Sequence, residues 1–250
     1  MRLLKLSLDD DSAEEGCEEI FKSDPALTAE LLLLSNSAFY GRRTHVETIR
    51  HAMKLLGLER VRCLAVTIAL RSQMGHGERP KYLASVWAHS IAAAVAAEAM
   101  GAVYQSPGLY TSGLTHDLGR LGLFLVQGPD YARELSVEFA GMAEANAAEQ
   151  RLCGMTHCEA GALVAHGWGL PESIATCMTN HHAQPRGTDA DPAVIVWRAC
   201  QMADSLGFPE VPHPEAPPWP SLPPMLRNRP ELEPETLWDE INRRIADLSG

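Results

Sequence analysis

Residues of metal-ligating type are spread along this chain on segments with helical periodicity: His89, the adjacent pair His116-Asp117, His157, the doublet His181-His182, and Asp204. An imidazole or carboxylate on the inner face of a helix is costly unless it is paired, hydrogen-bonded or bound to a cation. Taken together the set has the composition of one metal site. Its donors are nitrogen and oxygen with no thiolate, an inventory that suits iron, manganese, zinc or magnesium. The plainer reading competes with it, because a single histidine on an apolar stripe is more often a hydrogen-bonded core residue than a ligand. His157 also fits a helix start packed closely at Gly161, and Asp204 fits a cap or an ion pair.

The elements that must position these groups read as helices, with almost no strand-like alternation, so the fold class is all-α. From Gly113 to Leu125, residues Leu114, Leu118, Leu121 and Leu125 form an apolar stripe and Gly113, His116, Asp117 and Arg120 the stripe beside it, which predicts one helix with a core face and a ligand face. From Tyr82 to Gly101, His89 stands over Ala92, Ala93 and Ala96, small residues that leave room beside the imidazole. Ile174, Cys177, Met178 and His181 share a face, as do Trp197, Cys200 and Asp204. Upstream, Ser23-Asp24-Pro25 is a helix-start signal, residues 36–44 read as a loop, and two helices are expected over 48–56, closed by Gly57, and 59–74. Gly75-His76-Gly77 marks a boundary. These breaks give three segments, residues 1–77, 78–208 and 209–250, the last a proline-rich stretch to Pro234, expected to be extended surface chain without chemistry, followed by an amphipathic helix over 235–248.

Composition narrows the function classes. A chain of 250 residues with 46% hydrophobic content can bury a large core. The net charge of −11 argues against nucleic-acid binding, which rests on clustered Lys and Arg, and the cluster of Arg42, Arg43, Lys54, Arg60, Arg62 and Arg71 is ordinary for a solvated helix face. No uninterrupted apolar run reaches bilayer length and the amino terminus turns acidic early, so no membrane span is expected and the expected location is cytoplasmic. The six cysteines show no CxxC spacing and fall inside apolar stripes, which predicts buried reduced thiols in place of disulfides or a thiolate zinc site. His45, His51, His76, His166 and His213 lie outside the ligand pattern.

The run SDPALTAELLLLSNSAFYG followed by VETIRHAMKLLGLERVRCLAVTIAL resembles the helical first subdomain of HDOD proteins, the HD-related output domains of bacterial signalling. The words WAHS, LTHDLGRLGL, THCEAGALVAHGWGLP, NHH and MADSLG then resemble the HD subdomain that follows in the same family, so that the resemblance covers roughly residues 18 to 207. It implies two packed all-α subdomains, the second HD-like. It also implies that His89, His116, Asp117 and Asp204 match the minimal HD metal set, and that His157, His181 and His182 match the additional ligands of HD-GYP relatives that hydrolyse cyclic di-GMP. In a two-ion site Asp117 would be the bridging carboxylate, with water or hydroxide as the nucleophile. Arg120 stands where those enzymes carry a lysine beside the phosphate, a planar fork in place of a point charge. Asp117 and Arg120 are therefore the candidate catalytic residues. After His181-His182 the chain runs Ala-Gln-Pro-Arg-Gly, with no Gly-Tyr-Pro word. The expectation is a regulatory output module that binds divalent metal and a protein partner; the alternative is a metal-dependent phosphohydrolase acting on a nucleotide or cyclic nucleotide.

Overall fold

The computed structural model describes residues 17, 18, 21, 28, 31, 32, 35, 46, 48–57, 61, 81–106, 108–168, 170–183, 186–212 and 216–249. Among them all regular structure is helical, with no strand. The chain divides into two compact units, residues 1–75 with 244–250, and residues 76–243.

In the first unit the described helix is α1 (Ile49–Leu56). Thr48 caps it by accepting from the His51 amide at 3.2 Å, and Gly57 ends it at φ 81°, a left-handed backbone that favours glycine. This agrees with the expected helix over 48–56. The start signal at Ser23-Asp24-Pro25, the loop over 36–44, most of the helix over 59–74 and the glycine boundary at 75–77 lie outside the described residues. His51 is exposed.

The larger unit holds α2 (Lys81–Tyr104), α3 (Leu109–Thr115), α4 (Leu118–Gln127), α5 (Pro129–Glu134), α6 (Met142–Cys153), α7 (His157–Trp168), α8 (Glu172–Asn180) and α9 (Pro192–Ser205), and most of α10 (Pro234–Ser249). Helix α2 is its axis. By length and composition it could cross a bilayer, yet 67% of its most apolar window is buried inside the protein, as befits a core helix. Helices α3 and α9 pack on it, and α7 lies between α4 and α8.

Glycines set the closest approaches. A Cβ on Gly113 would lie 2.7 Å from the Ala94 Cα, so α3 meets α2 backbone to backbone. A Cβ on Gly119 would lie 1.9 Å from the His157 carbonyl oxygen, which seats the first turn of α4 against the start of α7.

Two expectations are corrected here. The apolar stripe through Leu114, Leu118 and Leu121 is buried, but the chain is not one helix: α3 ends at Thr115, Asp117 has φ −107° and ψ 17°, and α4 begins at Leu118. The His116 ring donates from Nδ1 to the Gly113 carbonyl at 2.6 Å, satisfying an acceptor that helix continuation would otherwise have used. After the break the stripe drifts outward, and Leu125 is exposed. The second correction concerns the proline-rich segment, which does not simply cover the surface. Glu210, Val211, Leu226 and Leu232 are buried, and the Phe139 amide donates to the Pro212 carbonyl.

Candidate metal centre

The break between α3 and α4 turns Asp117 and Arg120 into the interior, where both are buried. Helix α7 opens on a capping box: the Thr156 amide donates to the Glu159 carboxylate at 2.7 Å, and Thr156 Oγ1 accepts from the Glu159 amide at 3.3 Å. That start aims His157 at Asp117. Helix α8 ends on His181, followed by His182.

The tautomers follow from the partners. His157 Nδ1 lies 2.7 Å from Glu149 Oε2, which can only accept, so Nδ1 carries the proton. His181 Nδ1 faces the carbonyls of Cys177 and Met178 at 3.1 and 3.2 Å, with the same consequence. Both Nε2 atoms therefore present lone pairs, 3.3 Å apart. Asp117 Oδ1 stands 3.7 Å from one and 3.8 Å from the other, and Glu210 Oε1 lies 3.4 Å from His157 Nε2. Four acceptors thus face one point. Metal bonds of about 2.1 Å give ligand–ligand edges of about 3.0 to 3.4 Å in octahedral or tetrahedral sites, close to these separations. Neither carboxylate oxygen of Asp117 has a hydrogen-bond donor, although both are buried. The residues fit a cation.

Charges and burial around this cluster favour the deprotonated forms of His157, His181 and Glu210. Burial and the Arg120 guanidinium hold His157 below the usual imidazole range. Burial and the neighbouring His182 and His116 rings hold His181 well below it. Burial would raise Glu210, but Arg120 and His182 pull its carboxyl well below the ordinary range. His182 is pulled the other way: burial disfavours its charge, but Glu210, 3.1 Å from its Nε2, raises it. A charged His182 can donate across 2.7 Å to His157 Nε2, a protonic substitute for a cation at one of these acceptors.

Arg120 is the hub behind the cluster. Its Nη1 donates to Glu149 Oε1 at 2.7 Å and to the Tyr82 hydroxyl at 3.2 Å. Its Nε donates to Glu210 Oε1 at 2.7 Å, its Nη2 also reaches Glu210, and Asp117 Oδ2 lies 3.1 Å from Nε as an ion pair. Tyr131 adds a 2.6 Å bond to Glu149, whose carboxyl burial would raise but Arg120 and His157 depress to about 2.

The remaining expected ligands stand in a second group. His89 and His116 meet edge to face with ring centroids 5.2 Å apart, and His116 meets His181 at 4.7 Å. Asp204 is half-buried behind His89, with Oδ1 3.3 Å from the outward Nδ1, and also accepts from the Glu210 amide. Cys200 completes this group: its Sγ and one ring nitrogen from each histidine lie within 4.8 Å of one another. Burial would raise the Cys200 thiol, but the two imidazoles lower it. Burial would lower His116, yet Cys200 and Asp117 lift it to about 9; His89 is lifted well above its usual value against burial by Asp204 and Cys200.

All seven ligand candidates are thus gathered near one another, but in two groups, with Asp204 facing an outward nitrogen. Glu149, Cys200 and Glu210 were not among them. The expectation of buried reduced thiols is met by Cys17, Cys177 and Cys200, while Cys153 and Cys158 are part-exposed. Two thiols stand beside the expected donors: Cys200, and Cys158, whose Sγ lies 3.5 Å from His157 Nε2. His166 is exposed and outside both groups.

The model of the HDOD domain matches residues 1–184, ending before Cys200, Asp204 and Glu210. Among solved structures the chain is similar to an HDOD domain protein of unknown function from Geobacter sulfurreducens, 25% identical, with 100% of this chain and 81% of that one covered and a TM-score of 0.62. It shares its fold, at 19% identity, with a protein from Shewanella amazonensis SB2B proposed to be a metal-dependent phosphohydrolase, with 99% and 89% covered and a TM-score of 0.64. An uncharacterized protein of Treponema pallidum (strain Nichols) is 25% identical over 173 residues, 68% of this chain; the chain spans 34% of the length of that curated relative.

Proposed function

The chain belongs to the HDOD family, and on that premise we propose that it is a cytoplasmic regulatory module of bacterial signalling that holds a divalent metal in its larger unit and acts through a protein partner. The observation that carries the metal is Asp117 Oδ1, buried with no hydrogen-bond donor and faced by lone pairs of His157 and His181, while Oδ2 is ion-paired with Arg120 Nε at 3.1 Å. Asp117, His157, His181 and Glu210 would hold the ion, with His182 adjacent. Glu149 would orient His157 from behind, as a carboxylate does for many metal-bound imidazoles. A divalent cation there supplies Lewis-acid polarisation of a phosphoryl oxygen and a bound water of lowered pKa.

The choice of regulation over turnover rests on Arg120. A guanidinium that grips a substrate phosphate needs free donors facing the substrate. Here it is fully buried and engaged by Glu149, Glu210, Asp117 and Tyr82, so it serves the protein's own carboxylates. The second reading, a metal-dependent phosphohydrolase acting on a nucleotide or cyclic nucleotide, is favoured by the donor set and by the shared fold of the Shewanella protein.

Metal analysis of protein purified without added metal, followed by a release assay across a nucleotide panel, separates the two. The regulatory reading expects bound divalent metal that Asp117→Ala loses, with no release of phosphate or nucleotide. Release that disappears in Asp117→Ala establishes the hydrolase. Absence of any metal after loading overturns both.

A further inference from the structure

We propose that the outer face of α7 and α8 is the interface of a homodimer, in which Leu163 of each copy enters the recess between those two helices on the other. The inference goes beyond the metal and partner reading above and does not rest on it.

The recess has a volume of about 330 Å³ and is lined with apolar surface by Ala162, Ala165, Leu170 and Ala175. Thr179, which also lines it, spends its hydroxyl hydrogen on the Ala175 carbonyl at 2.6 Å. Its described lining includes no Lys or Arg, so an anionic nucleotide would find no counter-charge there. At about 30 Å³ per molecule the space holds about ten waters, and their release favours filling it with apolar side chains.

The group that would fill it stands on the same helix. Leu163 is 62% exposed, next to Ala162 and one turn before His166, both of which line the recess. A projecting leucine and a hole with small apolar walls thus share one surface. Such a surface is complementary to itself, because a two-fold axis sets each knob over the other copy's hole. Helix α4 extends it. The Cβ position of Gly122 lies 3.8 Å from Val164 Cγ2, and one turn beyond that contact Leu125 and Val126 are exposed. Three of the seven large apolar side chains exposed among the described residues therefore fall on the packed pair α4 and α7, the concentration that marks an interaction surface.

Charge commits the face to a second copy. With a net charge of −11, two copies repel wherever acidic surface meets acidic surface. Along α4 the only charged side chain is the buried Arg120. Glu159 lies two turns before His166 and is engaged by Thr156, which leaves His166 and Glu172, both exposed, as the titratable groups of the recess. A copy that inserts Leu163 brings its own His166, one turn away on the same helix face, toward Glu172 of the other, and the two-fold axis makes that pairing twice.

The test is sedimentation equilibrium of the full chain at rising concentration. A reversible passage from monomer to dimer mass is expected. Leu163→Asp puts a charge at an exposed position in the middle of the face and is expected to weaken dimerisation by about tenfold or more, the size of an interface hot spot. Val137→Asp alters an exposed apolar residue outside α4, α7 and α8 and is expected to leave dimerisation unchanged. His166→Glu alone sets Glu against Glu172, and Glu172→Lys alone sets Lys against His166, so each is expected to associate more weakly than the wild type. An equimolar mixture of the two is expected to regain dimer, since one cross-copy contact becomes Glu with Lys; a folding defect in either variant would not produce that recovery. A monomer at every concentration, which would assign the face to a different protein, an association that Leu163→Asp leaves intact or Val137→Asp abolishes, or a mixture no stronger than either variant alone would overturn the proposal.

Discussion

Replacing Arg120 with methionine keeps most of the side-chain volume and removes the charge that three buried carboxylates share. Removing one partner of a buried ion pair costs about 3–5 kcal/mol, because the other charge is left uncompensated. Here Glu149, Glu210 and Asp117 are all left, at original separations from the guanidinium of 2.7, 2.7 and 3.1 Å, so the upper part of that range applies to the metal-free protein. For a unit of this size each kcal/mol moves the midpoint by about 2–4 °C, which gives a fall of about 8–20 °C. All five tryptophans, Trp87, Trp168, Trp197, Trp219 and Trp238, lie in the larger unit, so fluorescence-detected urea or thermal unfolding reports on that unit alone. Divalent metal should recover part of the loss, since it supplies positive charge to Asp117 and Glu210. Arg120→Lys should fall between, keeping the charge and losing the fork. A loss below about 1 kcal/mol for Arg120→Met in metal-free protein, the level of an ordinary substitution, would refute the view that Arg120 serves its own carboxylates.

Three further outcomes follow from the same geometry. Gly119→Ala puts a methyl 1.9 Å from the His157 carbonyl, so α7 must move; a stability loss beyond the usual 1–3 kcal/mol of overpacking and a weakened metal affinity are expected from denaturation and metal titration. Glu149 is depressed from the ordinary 4.5 to about 2, so its contribution, on the order of 3 kcal/mol, is present in full above pH 4.5 and is lost as the pH falls toward 2. The slope of stability against pH in that window should flatten in Glu149→Gln, and an unchanged slope would remove Glu149 from the account. Glu210→Gln should weaken metal at the Asp117 cluster by about tenfold or more, measured by competition with a chelator.

Residue type and helical spacing made much of this centre legible in advance, and the reasons for the rest are local. His89, His116, Asp117, His157, His181 and His182 were conspicuous because polar groups interrupt apolar stripes. Glu149 was not, since it sits in a helix with Glu144 and four alanines, where one more carboxylate reads as solvated surface. Glu210 follows a proline in a segment whose composition signals exposed chain, and its partner Arg120 is 90 residues away. Cys200 looked like any core thiol. Only the meeting of α2, α3 and α9 sets it beside two imidazoles. The division of the leucine stripe into α3 and α4 has no local signal either, because Leu114, Leu118 and Leu121 keep helical spacing across it; what breaks the helix is the His116 ring capping Gly113.

The bond between Arg120 and Glu210 also has a consequence for how the chain is made. The guanidinium and Glu149 emerge from the ribosome long before residue 210, and His89 waits for Phe208 across 119 residues. Loop closure over such spans adds little to the free-energy cost but slows assembly. A nascent chain that stops short of Glu210 carries a buried cation lacking one of its principal counter-charges, and one that stops short of Phe208 also leaves His89 without its carbonyl. The centre is therefore closed only late in synthesis, when Glu210 and the buried Val211, Leu226 and Leu232 that follow it have been added.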